Sequence, residues 1–171
     1  MKIYLGTSKI IFDVDASKDF IYKISKDNSY ACETEYNLYK LAEEQGLEIF
    51  FVPLIKISNN AFIQKKVQTY AEFRYEGREL KSDAAFVREI NQFCESIGYN
   101  CEADRRWLYS VYLSTNNDIS VVKRLLCFLK INNINDLHNE NIGFNLETNA
   151  PVIFDYAGYH YTLWFFLKNI L

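Results

Sequence analysis

Three short runs of β-favouring residues open the chain, at 2–5 (KIYL), 10–14 (IIFDV) and 19–24 (DFIYKI), joined by the polar turns Gly6-Thr7-Ser8-Lys9 and Asp15-Ala16-Ser17-Lys18. Such runs, bounded by turn formers, predict a three-strand antiparallel meander. Polar residues 25–29 then lead into a predicted helix over 30–45, with Leu38, Leu41 and Ala42 as its apolar stripe, Tyr39 beside them and Gly46 as its stop. Two more strands are expected over 48–57 and 61–69, split by Ser58-Asn59-Asn60, and Pro53 interrupts the first or confines it to an edge. Beyond Thr69 the period lengthens. Phe86, Ile90, Phe93 and Ile97 recur at helical spacing, as do Trp107, Leu108, Val111 and Tyr112, and a third helix over 119–130 carries Val122, Leu125, Leu126 and Leu129. Short strands return between 132 and 156, clearest at 152–154, and a closing helix is expected over 161–171. The order predicts an α+β fold: a five-stranded antiparallel sheet with one helix over residues 1–70, then a small, mainly helical lobe over 71–171.

Composition narrows the class. Of 171 residues, 49% are hydrophobic and 24% charged, with six glycines and two prolines, which excludes disordered, fibrous and collagen-like chains. Nineteen basic against twenty-two acidic residues give a net charge of -3, so no global field draws the protein to nucleic acid or an anionic bilayer. Residues 1–9 lack the apolar core of a secretory signal, and the apolar stretch 159–171, broken by His160 and Lys168, is too short to span a bilayer. A soluble, cytoplasmic protein is expected. Cys32, Cys94, Cys101 and Cys127 form no CxxC pair and read as buried free thiols; with only His138 and His160, and no HExxH, a structural zinc site is not expected. The many asparagines suggest turns.

The candidate chemistry lies in Ile134–Tyr159, INDLHNENIGFNLETNAPVIFDYAGY. Asp136, His138 and Asn141 crowd together, and a short apolar strand then delivers Asp155, with Gly158 three residues on. Magnesium is hard, takes oxygen ligands in an octahedron, and is usually held by one or two carboxylates plus phosphate oxygens. Two aspartates and an asparagine at the ends of neighbouring strands suit that need. The alternatives are plainer: Asp136 and Asn141 as turn formers bonding to backbone, Asp155 as a cap, and His138 as a structural ring.

This segment resembles the catalytic and metal-binding loops of the protein-kinase-like superfamily, and its DLHxxN form is closest to the aminoglycoside and choline phosphotransferase branch. The resemblance implies ATP and Mg²⁺ as cofactors, Asp136 as the catalytic aspartate, Asn141 as a magnesium ligand, and Asp155 as the aspartate of a DFG-type loop, here Asp155-Tyr156-Ala157-Gly158. It implies a phosphate-covering loop at Gly6-Thr7-Ser8-Lys9, a phosphate-gripping Lys23 in FIYKI, and a helical glutamate, Glu35 or its neighbour Glu33, paired with that lysine. Gln64-Lys65-Lys66-Val67 would be the hinge, lending backbone groups to an adenine ring. Lys23 on the solvated face of its strand, and Glu33 and Glu35 as surface charges, are the competing assignments. Ile134 stands where the family usually has histidine, and the first loop has one glycine where three are usual. Leu171 follows soon after Gly158, so a reduced large lobe is expected, without an activation segment or an acceptor-docking subdomain.

Two functions follow. One is an ATP- and Mg²⁺-dependent phosphotransferase acting on an unidentified hydroxyl acceptor. The other is a catalytically degenerate kinase-like binding module, of host-interaction, inhibitor or immunity type, with a protein partner and with or without nucleotide. An unrelated structural α+β domain is the third class.

Overall fold

The structure is a computed structural model and describes residues 1–6, 8–14, 19–26 and 30–156. The expected helix over 161–171, Gly158 and the turn at 15–18 lie outside those residues. Two compact units are present, one built on Met1–Lys66 and the other on Val67–Tyr156.

In the first unit, β1 (Lys2–Leu5), β2 (Lys9–Asp13), β3 (Phe20–Ser25), β4 (Leu54–Ser58) and β5 (Ala61–Lys65) form one antiparallel sheet in the order β1-β2-β3-β5-β4. Helix α1 (Ala31–Glu44) lies against β3, β4 and β5. Its buried positions Ala31, Cys32, Glu35, Leu38, Tyr39 and Ala42 recur at helical spacing, and this face closes on Leu54 and Phe62 of the sheet. No side chain caps its first residue; instead the Ser25 hydroxyl accepts from the Cys32 N–H at 2.9 Å, satisfying an otherwise orphan donor. Gly46 leaves the helix at φ 64°, the left-handed value a glycine adopts without strain.

Two strand expectations need correction. Residues 48–57 form a short 3₁₀ turn at Glu48–Phe50 followed by β4, because Leu47, Phe50, Phe51 and Val52 are all buried, a run with no alternation, and Pro53 has no N–H to give a ladder. Residues 61–69 are two strands. β5 ends at Lys65, the Lys66 N–H bonds to the Asp19 carbonyl at 2.7 Å, and Val67–Thr69 form β6 in a different sheet.

The second unit holds α2 (Tyr70–Tyr75), α3 (Ala84–Ile97), α4 (Arg105–Ser114), α5 (Ile119–Ile131), β7 (Ile142–Asn145) and β8 (Pro151–Ile153). It is helical with a small antiparallel sheet, β6-β7-β8. Ile90, Trp107, Leu108, Val111, Val122, Leu125, Leu126, Leu129, Leu137, Ile142 and Ile153 are its fully buried core. Asp83, Asp104 and Asp118 cap the starts of α3, α4 and α5. Helix α2 was not expected, although Thr69 and Glu72 spell a capping box, and both reciprocal bonds are present. Asn116, Asn117, Asn133 and Asn149 all take positive φ, so asparagine does serve turns here. Cys32, Cys94 and Cys101 are buried free thiols, whereas Cys127 is half-buried. Among the described residues no helix is long and apolar enough to cross a membrane.

Candidate functional site

Lys23 is buried. In β3 it stands opposite Phe62, its ammonium 5.6 Å from that ring's centroid, on the sheet face that α1 covers. Glu35 shares the buried stripe of α1, and its Oε1 lies 3.6 Å from Lys23 Nζ. Neither residue is therefore a solvated surface charge. Glu33 is only half-buried, and it is Glu35 that forms the ion pair. Removing such charges from water costs several kcal/mol per ion, so the arrangement depends on their mutual attraction in a low dielectric. Cys32, one turn before Glu35, senses the cluster: burial pushes its thiol pKa up, the Ser25 hydroxyl lowers it, Glu35 raises it further, and Lys9 and Lys23 oppose that rise.

Lys9 is the residue that sequence reading missed. The pattern puts it in the first turn, yet it is the first residue of β2, buried, and bonded directly to Glu35 Oε2. Parity was the available signal: Lys9 and Ile11 point to one face, and Ile11 is the register partner of Lys23.

The other residues expected to bind nucleotide are Gly6, Gln64 and Lys66. Gly6 is exposed and its carbonyl accepts from Lys26 Nζ. Gln64 is buried in β5, opposite Ile21 and Leu54. The Lys66 ammonium pairs with Asp13 Oδ1 at 2.6 Å.

In the second unit the loop from α5 to β7 presents Asp136 and His138. Ile134 and Leu137 are buried beside them, and the Tyr99 hydroxyl donates to the Ile134 carbonyl. At Ile134 the loop is thus pinned by an apolar side chain and a backbone bond. The chain then folds on itself. The Asn141 amide nitrogen donates to the Asp136 carbonyl at 2.8 Å, the Asn141 N–H to the His138 carbonyl at 2.9 Å, and His138 Nδ1 accepts the Glu140 N–H at 3.2 Å. With Nδ1 accepting, Nε2 is left to donate, and it lies 3.2 Å from Asp136 Oδ1. The Asn141 bond turns its amide nitrogen to the loop and leaves the oxygen as the end suited to a cation.

Strand register brings the last residue in. Ile142 pairs with Ile153, and the Phe154 N–H bonds to the Asn141 carbonyl at 3.1 Å, so half-buried Asp155 follows directly from a residue bonded to Asn141. Gly143 permits this hairpin to meet β6: a Cβ there would sit 2.1 Å from the Gln68 carbonyl oxygen. The Trp107 indole N–H secures the same glycine through its carbonyl at 3.1 Å.

Asn141 and Asp155 carry oxygens of the hard kind that magnesium takes, and strand register brings their backbones together. Among the described residues no group of three or more histidine, cysteine, aspartate or glutamate side chains is placed to hold a metal by itself.

No protein-family model matches the chain, and no curated protein matches it. Among solved structures, it is similar to an aminoglycoside phosphotransferase, the streptomycin-ATP-APH(2")-IIa ternary complex, at 14% identity and a TM-score of 0.40. The match covers 92% of this chain and 66% of that chain, just under two thirds of its length.

Proposed function

We propose that the protein is a kinase-like phosphotransferase that uses ATP with Mg²⁺ and acts on a hydroxyl acceptor. The observation that carries this reading is the buried Lys23–Glu35 pair, formed from the strand and helix where the resemblance calls for it. A buried lysine held by a carboxylate is kept aimed, which is what gripping a polyphosphate requires. ATP supplies the phosphoryl group, and Mg²⁺ neutralises charge on its phosphates. Lys23 binds phosphate oxygens, and Glu35 keeps its ammonium in place. Asn141 and Asp155 hold the cation through their side-chain oxygens. Asp136, exposed on a loop braced by Ile134 and Leu137, orients the acceptor hydroxyl and takes up its proton.

The test combines ATP titration with labelled-phosphate transfer. Asp155→Asn should weaken ATP binding much more with Mg²⁺ than without it, since the lost charge is the ion's partner. Asp136→Asn should lower turnover about 10²-fold while ATP and Mg²⁺ still bind. Equal weakening with and without Mg²⁺ would remove Asp155 from metal binding. A wild-type protein that binds a protein partner but transfers no phosphate to protein, small hydroxylic compounds or itself would be a binding module.

A further inference from the structure

Helix α2 and the turn after it gather basic side chains at one place. The Gly77 N–H bonds back to the Arg74 carbonyl at 3.0 Å, and Arg78 and Glu79 follow directly. With Arg106, the second residue of α4, and with Tyr70 and Arg74, they line a cavity of about 130 Å³. That volume holds a few waters, at about 30 Å³ each, and falls well short of the roughly 300–1,000 Å³ of a site for a drug-sized ligand. It suits a group the size of phosphate. Three guanidiniums against the single carboxylate of Glu79 make the lining net positive.

The three arginines keep donors to spare, since a guanidinium carries five N–H groups. Arg78 uses Nε on Glu76 at 3.3 Å and Nη2 on the Gln68 amide oxygen, and its Cζ lies 4.2 Å from the Phe73 ring centroid, which holds the fork in place. Arg106 reaches the Asp104 carboxylate only at 3.4 and 3.5 Å, while Oδ1 of that residue is engaged at 2.8 Å in capping α4. The Arg74 guanidinium has no hydrogen bond or ion pair among the described residues. Tyr70 completes the lining from inside the fold: it is 1% exposed, its ring packs against Phe73 and Phe144, and the next N–H, of Ala71, is anchored on the Asn139 carbonyl at 3.0 Å. Burial pushes the Tyr70 hydroxyl pKa up, Asp104 adds to the rise, and Arg106 and Arg74 oppose it. The phenol therefore stays neutral and brings no charge to repel an anion.

We propose that this cavity is a binding site for a phosphate group, presented by inorganic phosphate or by a small phosphomonoester. Guanidinium forks match phosphate oxygens two at a time, and a dianion with several terminal oxygens engages more than one fork at once. A carboxylate, with one charge and two oxygens, leaves part of the lining unused. The inference does not depend on the nucleotide reading above, because it uses none of Lys23, Glu35, Asp136, Asn141 or Asp155.

The experiment is calorimetric titration with inorganic phosphate and, separately, with glycerol 3-phosphate, at an ionic strength matched with chloride so that general screening is constant. Each protein is first checked for a cooperative thermal transition. Wild type should bind both probes. Arg74→Gln, at an exposed residue whose guanidinium bonds nothing in the fold, should weaken both about tenfold, the scale of one lost charge-assisted hydrogen bond. Arg74→Lys keeps the charge without the fork and should recover only part of that loss. Arg78→Gln tests the cavity from a second side chain and should weaken binding to a similar extent. Arg88→Gln, exposed on α3 and outside the cavity, should leave affinity within about twofold. Tighter binding of glycerol 3-phosphate supports the site and assigns it to an esterified ligand; tighter binding of inorganic phosphate supports it and assigns it to the free ion. A wild type that binds neither probe, affinities unchanged in both Arg74→Gln and Arg78→Gln, or an equal loss in Arg88→Gln each overturns the proposal.

Discussion

Lys23 and Glu35 are 1% and 0% exposed, whereas Asp136 and His138 stand 56% and 47% exposed. The first pair joins a strand to a helix across a stretch of sequence, and its partners are fixed by the packing of α1 on the sheet. The second group is held by bonds among residues at most five positions apart, such as Asn141 to the Asp136 carbonyl. Buried charges must be matched or the fold suffers, while exposed polar groups on a loop can be changed with little effect on stability. One region should therefore couple chemistry to folding, and the other should separate them.

The strongest challenge to that contrast is Glu35→Ala. It leaves two buried ammoniums without their shared carboxylate and should cost about 3–5 kcal/mol, read from the urea midpoint. A loss no larger than that of an exposed-site variant would mean that water reaches the cluster.

Gly143→Ala probes what the locally bonded region still owes to distant sequence. The added Cβ meets the Gln68 carbonyl oxygen at 2.1 Å, a backbone atom that cannot swing aside. A destabilisation of about 1–3 kcal/mol is expected, and an unchanged midpoint would show that β6 and β7 approach less closely than described.

Thr69→Ala removes the hydroxyl that accepts the Glu72 N–H at 3.0 Å at the start of α2. About 1 kcal/mol should be lost, measured the same way. A cost near that of Glu35→Ala would mean that cap loss propagates beyond the helix.

Asp136→Ala is expected to move stability by no more than about 0.5 kcal/mol, because its carboxylate is exposed and its role in the loop is played by its backbone carbonyl. If its midpoint falls as far as that of Glu35→Ala, the division between the two regions fails.

The α+β order was legible in the chain wherever side-chain period and turn formers agreed. The meander, α1 with its glycine stop, and the helices containing Ile90, Trp107 and Leu125 depend on local alternation and apolar stripes, which any window of sequence displays. The Asp136, His138, Asn141 and Asp155 grouping was legible for the same reason: its members are close in sequence and joined by one short hairpin. The β-rich run beside it hides helix α2, for which the capping box of Thr69 and Glu72 is the local signal.

Tertiary structure alone decided the rest. No local pattern tells whether a lysine in a β-run faces water or a glutamate, and Lys9 entered the cluster only because antiparallel register laid it diagonally beside Lys23 under α1. Likewise, the strand expected over 61–69 broke because the Lys66 N–H found the Asp19 carbonyl just ahead of β3, and β6 then found β7, whose glycine leaves room for the approach. Composition and period establish which residues form strands and helices; the pairing of buried charges, and the point at which a chain leaves one sheet for another, depend on partners that only folding brings within reach.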